Sequence, residues 1–343
     1  MMKHIFLVHS SITYLMALSV ICKEKLQISD IRILSFRNVG FPKVVPILCI
    51  ENEMKNGRRW NYVKNFDKII GEIAEGEKYD AYIPSMSDNA RLLVTNALCR
   101  EFHIIEEGTA SYITEMDKET LGYEYRMQDW RCNSLLDKIK VLKDAVSVII
   151  RGMTMKLQTL SVHTMLYAPF ENHIFYACNE HAFPYAANRK IVSLRNELTE
   201  KIKPAHNLSS SYIWVSSDIT RDYQNKKDQI SALYEKLLSA YFKSHNEKPI
   251  YIKFHQFESE QSKEWTYRLF HKIGKSPIVL PDCTIMEMEL LNCQDVTMIG
   301  DFSSLLLYNQ ILGHHSVSLV KPLSRIVNLP ESDYSMIKAE FLE

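Results

Sequence analysis

Two adjacent carboxylates, Glu106 and Glu107, end the apolar run FHII and are followed by Gly108. If that run is a β-strand, successive side chains point to opposite faces, so one acid reaches one side of the sheet and its neighbour the other. Like charges this close disfavour double ionisation, and partial burial raises one pKa toward the range of a general base. The same three residues also suit a solvated turn in which Gly108 supplies a positive φ. His255 ends a second apolar run, IYIKF. A protonated imidazole there neutralises a departing phosphate, and a purely structural histidine fits the spacing as well. Ser303 and Ser304 follow Gly300 and open an apolar-periodic segment. Hydroxyls and unpaired N–H groups at a helix start hold phosphate; a serine there equally caps the helix.

These groups are useful only if the fold brings them to one rim. Short apolar runs alternate with amphipathic segments from the first residue, the pattern of a parallel sheet covered on both faces. In the first half, strands are expected at 5–8, 31–36, 79–83, 102–105 and 174–177. Helices are expected near 12–22, 62–73 and 90–99, with a further helical stretch within 131–160. The opening, MMKHIFLVHSSITYLMALSVICKEK, is read as strand, polar turn and helix rather than a signal peptide, because His9, Ser10 and Ser11 interrupt its apolar run. The polar stretch 201–210 reads as the crossing between halves. Beyond it come strands at 212–215, 250–254, 277–280, 296–299 and 316–319. Helices are expected at 228–243, 259–273, 284–291 and 303–312. Ile230, Leu233, Tyr234, Leu237 and Tyr241 follow helical spacing, and Thr284 with Glu287 has the form of a capping box. The fold class expected is α/β, with two doubly wound Rossmann-type domains, 1–205 and 206–343, facing a cleft.

In such sheets ligands bind beyond the carboxyl ends of the strands. The residues that follow the strands therefore sample the site: His9, Ser10 and Ser11; Ser85, Ser87 and Asn89; Glu106, Glu107 and Gly108; Ser216 and Ser217; His255; and Asp301, Ser303 and Ser304. Acids, a base and hydroxyls converge there, without a basic cluster.

In order, HIIEEGTASY resembles the D/E-D/E-G motif of bacterial sialyltransferases, YIKFHQ their K-x-H-P segment, and GDFSSLLLY their serine-pair motif. The likeness is to the polysialyltransferase and lipooligosaccharide-sialyltransferase groups, which share the two-Rossmann GT-B fold. It implies a single inverting displacement that moves sialic acid from CMP-sialic acid to a sugar hydroxyl of a capsule, lipooligosaccharide or O-antigen chain. An acid of Glu106–Glu107 would deprotonate the acceptor, with Asn89 and Gly108 on the acceptor side in the first domain. His255 would assist departure of CMP, and Ser303 and Ser304 would hold its phosphate. Ser10, Ser11, Ser216 and Ser217 are expected to line the donor, and Glu287, with Glu289 in reserve, to bind the ribose. Gln256 stands where the pattern has proline, so the turn after His255 lacks that restraint.

No metal or other cofactor is implied, since the chain has no D-x-D segment of the kind that carries a metal-bound nucleotide diphosphate. A GT-B enzyme using CMP-Kdo or a UDP-sugar, and a non-catalytic glycan- or nucleotide-binding module, are the alternatives. The formal net charge is zero, which gives no basic face for nucleic acid. Seven scattered cysteines, never spaced C-x-x-C, argue against a disulfide framework or zinc site and for a reducing cytoplasm. No run reaches the ~18–20 apolar residues of a membrane span. Segment 138–157 interleaves Lys and Arg with apolar residues and is read as a partly buried core helix, with peripheral contact at the inner membrane as the alternative.

Overall fold

Both halves of the chain build parallel sheets with one winding pattern. A computed structural model describes residues 2–36, 40–42, 44–50, 59–85, 88–112, 173–184, 186–216, 224–255, 258–301, 303–328 and 340–342. Two units divide it, Met1–Lys201 and Ile202–Glu343. The first holds β1 (Lys3–Val8), β2 (Ile31–Ser35), β3 (Ile47–Cys49), β4 (Tyr79–Ile83), β5 (Cys99–Ile105), β6 (Phe175–Ala177) and β7 (Arg189–Ile191). They pair in the order β3-β2-β1-β4-β5-β6-β7, every pairing parallel. In the second unit β8 (Tyr212–Val215), β9 (Ile250–Lys253), β10 (Ile278–Val279), β11 (Thr297–Gly300), β12 (His315–Ser318) and β13 (Glu340–Phe341) follow the order β10-β9-β8-β11-β12-β13, again all parallel. Each sheet reverses its direction of winding beside its first strand, between β1 and β4 and between β8 and β11. Those are the topological switch points at which open α/β sheets bind ligands.

The helices are α1 (Ser11–Glu24), α2 (Arg59–Ile73), α3 (Asp88–Thr95), α4 (Lys227–Ser244), α5 (Glu260–Lys272), α6 (Met286–Leu290), α7 (Ser304–Ile311) and α8 (Val320–Val327). Every residue of α1 from Ile12 to Ile21 is buried, which explains why the segment is apolar all round. In the second unit Trp214 and Ile252 of the sheet pack with Tyr234, Leu237 and Leu238 of α4 and with Leu269 and Phe270 of α5. Gly300 has a steric reason: a Cβ there would meet the Val215 carbonyl oxygen at 2.9 Å, so glycine permits the close approach of β11 to β8.

Several expectations need correction. The helix expected at 90–99 ends at Thr95, and Cys99 already belongs to β5. Asn96 makes the break, because its Oδ1 accepts the Leu98 N–H at 2.9 Å and turns the backbone. The capping box at Thr284 does not form: α6 starts at Met286, Ile285 is its N-cap, and no side chain caps it. The Thr284 hydroxyl is buried without a hydrogen-bond partner among the described residues. Strands β3, β7 and β13 and helix α8 are additions. The division falls at Lys201/Ile202 rather than 205/206, since Ala205 and His206 donate backbone N–H groups to Glu289 in the second unit, at 3.1 and 2.8 Å. The helical stretch within 131–160, and with it segment 138–157, lies outside the described residues. No helix among those described is long and apolar enough to cross a membrane.

Candidate functional site

At the first switch point the two acids take different roles. Glu106 turns inward and is fully buried. Its carboxylate accepts from Tyr112 Oη at 2.8 Å, from the Cys178 N–H at 2.8 Å and from Cys178 Sγ at 3.1–3.2 Å. Hydrogen bonds to a buried carboxylate satisfy it in place, so Glu106 ties the end of β5 to the end of β6. Gly108, at φ 132°, allows the chain to fold back into the turn Thr109–Tyr112 that brings Tyr112 to it. A Cβ on Gly108 would touch nothing, so the requirement is conformational.

Glu107 points the other way, its side chain 12% exposed. It lies 3.7 Å from Nε2 of His9 at the end of β1 and hydrogen-bonds Ser85 at the end of β4. Three neighbouring strands thus deliver one residue each to the same rim. Burial pushes the Glu107 carboxyl up to about 7, against a smaller opposing effect of the Ser85 hydrogen bond. A carboxyl with that pKa is ionised in part at neutral pH and can take a proton from a hydroxyl. Ser111 Oγ accepts the Glu107 N–H at 3.1 Å and fixes the backbone that carries it.

Ser10 is the N-cap of α1. Its hydroxyl accepts from the Thr13 N–H at 3.3 Å, and Thr13 Oγ1 accepts the Ser10 N–H in return. Ser11 opens that helix and Asn89 lies half-buried in α3. Ser87 falls outside the described residues.

At the second switch point β8 is followed by Ser216, whose buried hydroxyl donates to Glu258 at 2.6 Å. Ser217 lies outside the described residues. His255 is exposed at the end of β9, and its backbone N–H donates to Glu258 Oε2 at 3.1 Å. From β11 come Gly300 and then Asp301, buried, with Tyr234 Oη donating to its Oδ2 at 3.0 Å. Ser303 caps α7, its Oγ accepting the Leu305 N–H at 3.2 Å, and Ser304 is the first residue of that helix. Glu287 is half-buried on α6. Lys253 is nearby: burial lowers its pKa, opposed by Asp282, Cys283 and Glu287, and its Nζ donates to the Asp282 carbonyl at 3.0 Å. Glu289 is taken up elsewhere, by Ala205, His206 and the strap before β8. Among the described residues no three His, Cys, Asp or Glu side chains cluster as metal ligands would.

No family model matches the chain, and no curated protein matches it in sequence. Solved structures do. A candidate UDP-N-acetylglucosamine 2-epimerase from Listeria monocytogenes aligns over 98% of this chain and 91% of its own, at 9% identity and a TM-score of 0.51. An α/β-galactoside α-2,3-sialyltransferase from Photobacterium phosphoreum aligns over 99% and 98%, at 10% identity and a TM-score of 0.48. An Escherichia coli heptosyltransferase aligns over 92% and 88%, at 11% identity and 0.43. The fold class is two Rossmann-type units, GT-B-like. At 9% identity the likeness to the Listeria structure carries the fold alone and leaves the chemistry to the residues.

Within this two-Rossmann frame, sequence reasoning placed His9 and Ser85 among the strand-end residues without giving either a role, and it passed over Glu258. His9 and Ser85 each follow a strand and so carried a positional signal. Their convergence on Glu107 depends on the strand order β1-β4-β5, which no local pattern encodes. Glu258 had no signal, since it lies beyond the strand end and before the α5 cap.

Proposed function

We propose that this chain is an inverting, metal-independent sialyltransferase that moves sialic acid from CMP-sialic acid to a sugar hydroxyl of a bacterial surface glycan. The observation that carries the reading is Glu107: a largely buried carboxylate at a switch point, beside His9 and Ser85, with its pKa raised to about 7 by burial. Non-catalytic binding has no use for such a group, whereas a base that must accept a hydroxyl proton near neutral pH requires it. The choice of donor rests on the resemblance of three segments to sialyltransferase motifs. Each segment sits at the carboxyl end of a parallel strand: Glu106-Glu107-Gly108 after β5, Phe254 and His255 after Lys253 closes β9, and Asp301, Ser303 and Ser304 after Gly300 closes β11.

In the displacement, the acceptor hydroxyl oxygen forms a bond to the anomeric carbon of sialic acid as its proton passes to Glu107. The bond from that carbon to the CMP phosphate oxygen breaks, and CMP leaves with the electron pair. His255, donating a ring N–H, offsets the charge gathering on the phosphate. Ser303 and Ser304, with the N–H groups at the start of α7, are assigned its oxygens. Glu106 is assigned to holding the Glu107 turn rather than to proton transfer.

The test is incubation with CMP-sialic acid and a panel of galactosides, sialosides and lipid-linked oligosaccharides, with and without EDTA. Parallel arms carry CMP-Kdo and UDP-sugars. Sialylated product formed equally in EDTA is the expected result. Turnover of a UDP-sugar that requires a divalent ion overturns it.

A further inference from the structure

A proline after a strand-end histidine stiffens the turn by fixing φ near −65°; here Gln256 occupies that place. Glu258 supplies a different restraint. Its N–H donates to the His255 carbonyl at 2.9 Å, and its Oε2 accepts the His255 N–H at 3.1 Å, so the two residues close the turn on each other. The other carboxylate oxygen accepts from Ser216 Oγ at 2.6 Å and Ser262 Oγ at 2.8 Å. Glu258 is 7% exposed. It therefore joins the end of β8, the turn after β9 and the first turn of α5 through one buried carboxylate. We infer that Glu258 is a positioning residue, the lock that holds His255 at the rim of the second sheet in place of a proline.

Chemistry favours a carboxylate for this task. It accepts only, so it can take two hydroxyl protons on one oxygen and an amide proton on the other without rearrangement. Such charge-assisted bonds are shorter and stronger than neutral ones. A consequence falls on Ser216: its single proton is committed to Glu258, which leaves its hydroxyl only lone pairs to present and makes it a poor partner for phosphate. Loss of the lock would release the His255 backbone while leaving the imidazole itself intact. The effect on transfer rests on the sialyltransferase reading of His255; the lock itself rests on geometry alone.

The experiment follows amide hydrogen exchange at His255 and sialyl transfer in the parent, in Glu258→Leu and in Glu258→Leu with Gln256→Pro. Leucine keeps much of the volume and removes both acceptor oxygens, whereas a glutamine could still accept the His255 N–H with its oxygen and donate to the two serine hydroxyls. Among molecules still folded, as checked by the melting curve, Glu258→Leu should exchange the His255 amide roughly ten-fold faster. Its kcat with CMP-sialic acid should fall about ten- to a hundred-fold, with a smaller change in KM, because misplacement of a reacting group costs the chemical step most. The added proline should restore most of the rate. Unchanged exchange at His255, or a lost rate that the proline does not recover, overturns the inference. A parent that transfers nothing from CMP-sialic acid overturns the functional reading instead, and the exchange arm still decides the lock.

Discussion

A carboxylate held in a buried rim destabilises the fold whenever it is charged, and Glu107 shows the arrangement. Its folded pKa of about 7 stands above the ordinary 4.5. Below 4.5 both folded and unfolded chains hold the proton and nothing is lost. Between 4.5 and 7 the unfolded chain ionises while the folded one stays protonated, so stability falls as pH rises. Above 7 the whole loss, roughly 3 kcal/mol, is in place. Glu107→Gln should therefore be more stable than the parent at pH 8 by up to that amount, and no more stable at pH 4, in urea denaturation. The same variant should lose ~10²- to 10⁴-fold in transfer rate, together with the limb of kcat/KM that rises near pH 7. Equal stability at both pH values would make Glu107 an ordinary solvated acid. That one of the pair faces the rim was legible from strand alternation alone. Which one does so was not, because it depends on Tyr112 and Cys178 meeting Glu106 from 6 and 72 residues away.

Among the elements, long strands buried on both faces were the legible ones: the sequence reading places 79–83 and 212–215 where β4 and β8 lie. Edge strands of two or three residues, β3, β7, β10 and β13, offer too few positions for any period to show, and of these only β10 was anticipated. Helix α8 was hidden by Pro322, which lies in its first turn, where the missing N–H has no intrahelical partner to lose. The cost of a parallel sheet appears on β5, where His103 is buried against the Tyr82 and Tyr176 rings and its Nδ1 has no hydrogen-bond partner among the described residues. Burial lowers its pKa to about 4, from 6.5. Above 6.5 the ring is neutral in both states and contributes no pH dependence. As pH falls from 6.5 to 4 the unfolded chain gains a proton that the folded one refuses, and roughly 3 kcal/mol of stability drains away. His103→Phe should remove that part of the acid sensitivity: as pH falls from 7 to 4 the variant's unfolding free energy should rise relative to the parent's by up to roughly 3 kcal/mol. A constant gap across that range would assign the acid lability to another group.

At the scale of the whole molecule the position of the division is itself testable. The polar stretch after Lys201 has the composition of a linker, which is why the sequence suggests a boundary at 205/206. The folded chain uses it differently. Ile202 is buried, its carbonyl accepts from Asn292 Nδ2 at 2.6 Å, and the Ala205 and His206 N–H groups meet both oxygens of Glu289, which is 6% exposed. Residues 202–206 are thus a strap of the second unit, and Glu289 is the anchor that holds it. Removing the strap takes both N–H donors from that carboxylate and uncovers the apolar surface that Ile202 buries, a combined cost of about 2–3 kcal/mol. A fragment spanning 202–343 should therefore unfold at higher denaturant than one spanning 207–343, by about that free energy. Both fragments lack the first unit, so whatever its loss costs cancels in the comparison. In the full chain Glu289→Gln should lower the stability of the second unit by less, because the amide keeps one oxygen for one of the two N–H groups while its NH2 opposes the other. If the two fragments unfold alike, residues 202–206 are a linker after all, and Glu289 is available for the ribose role that the sequence held in reserve.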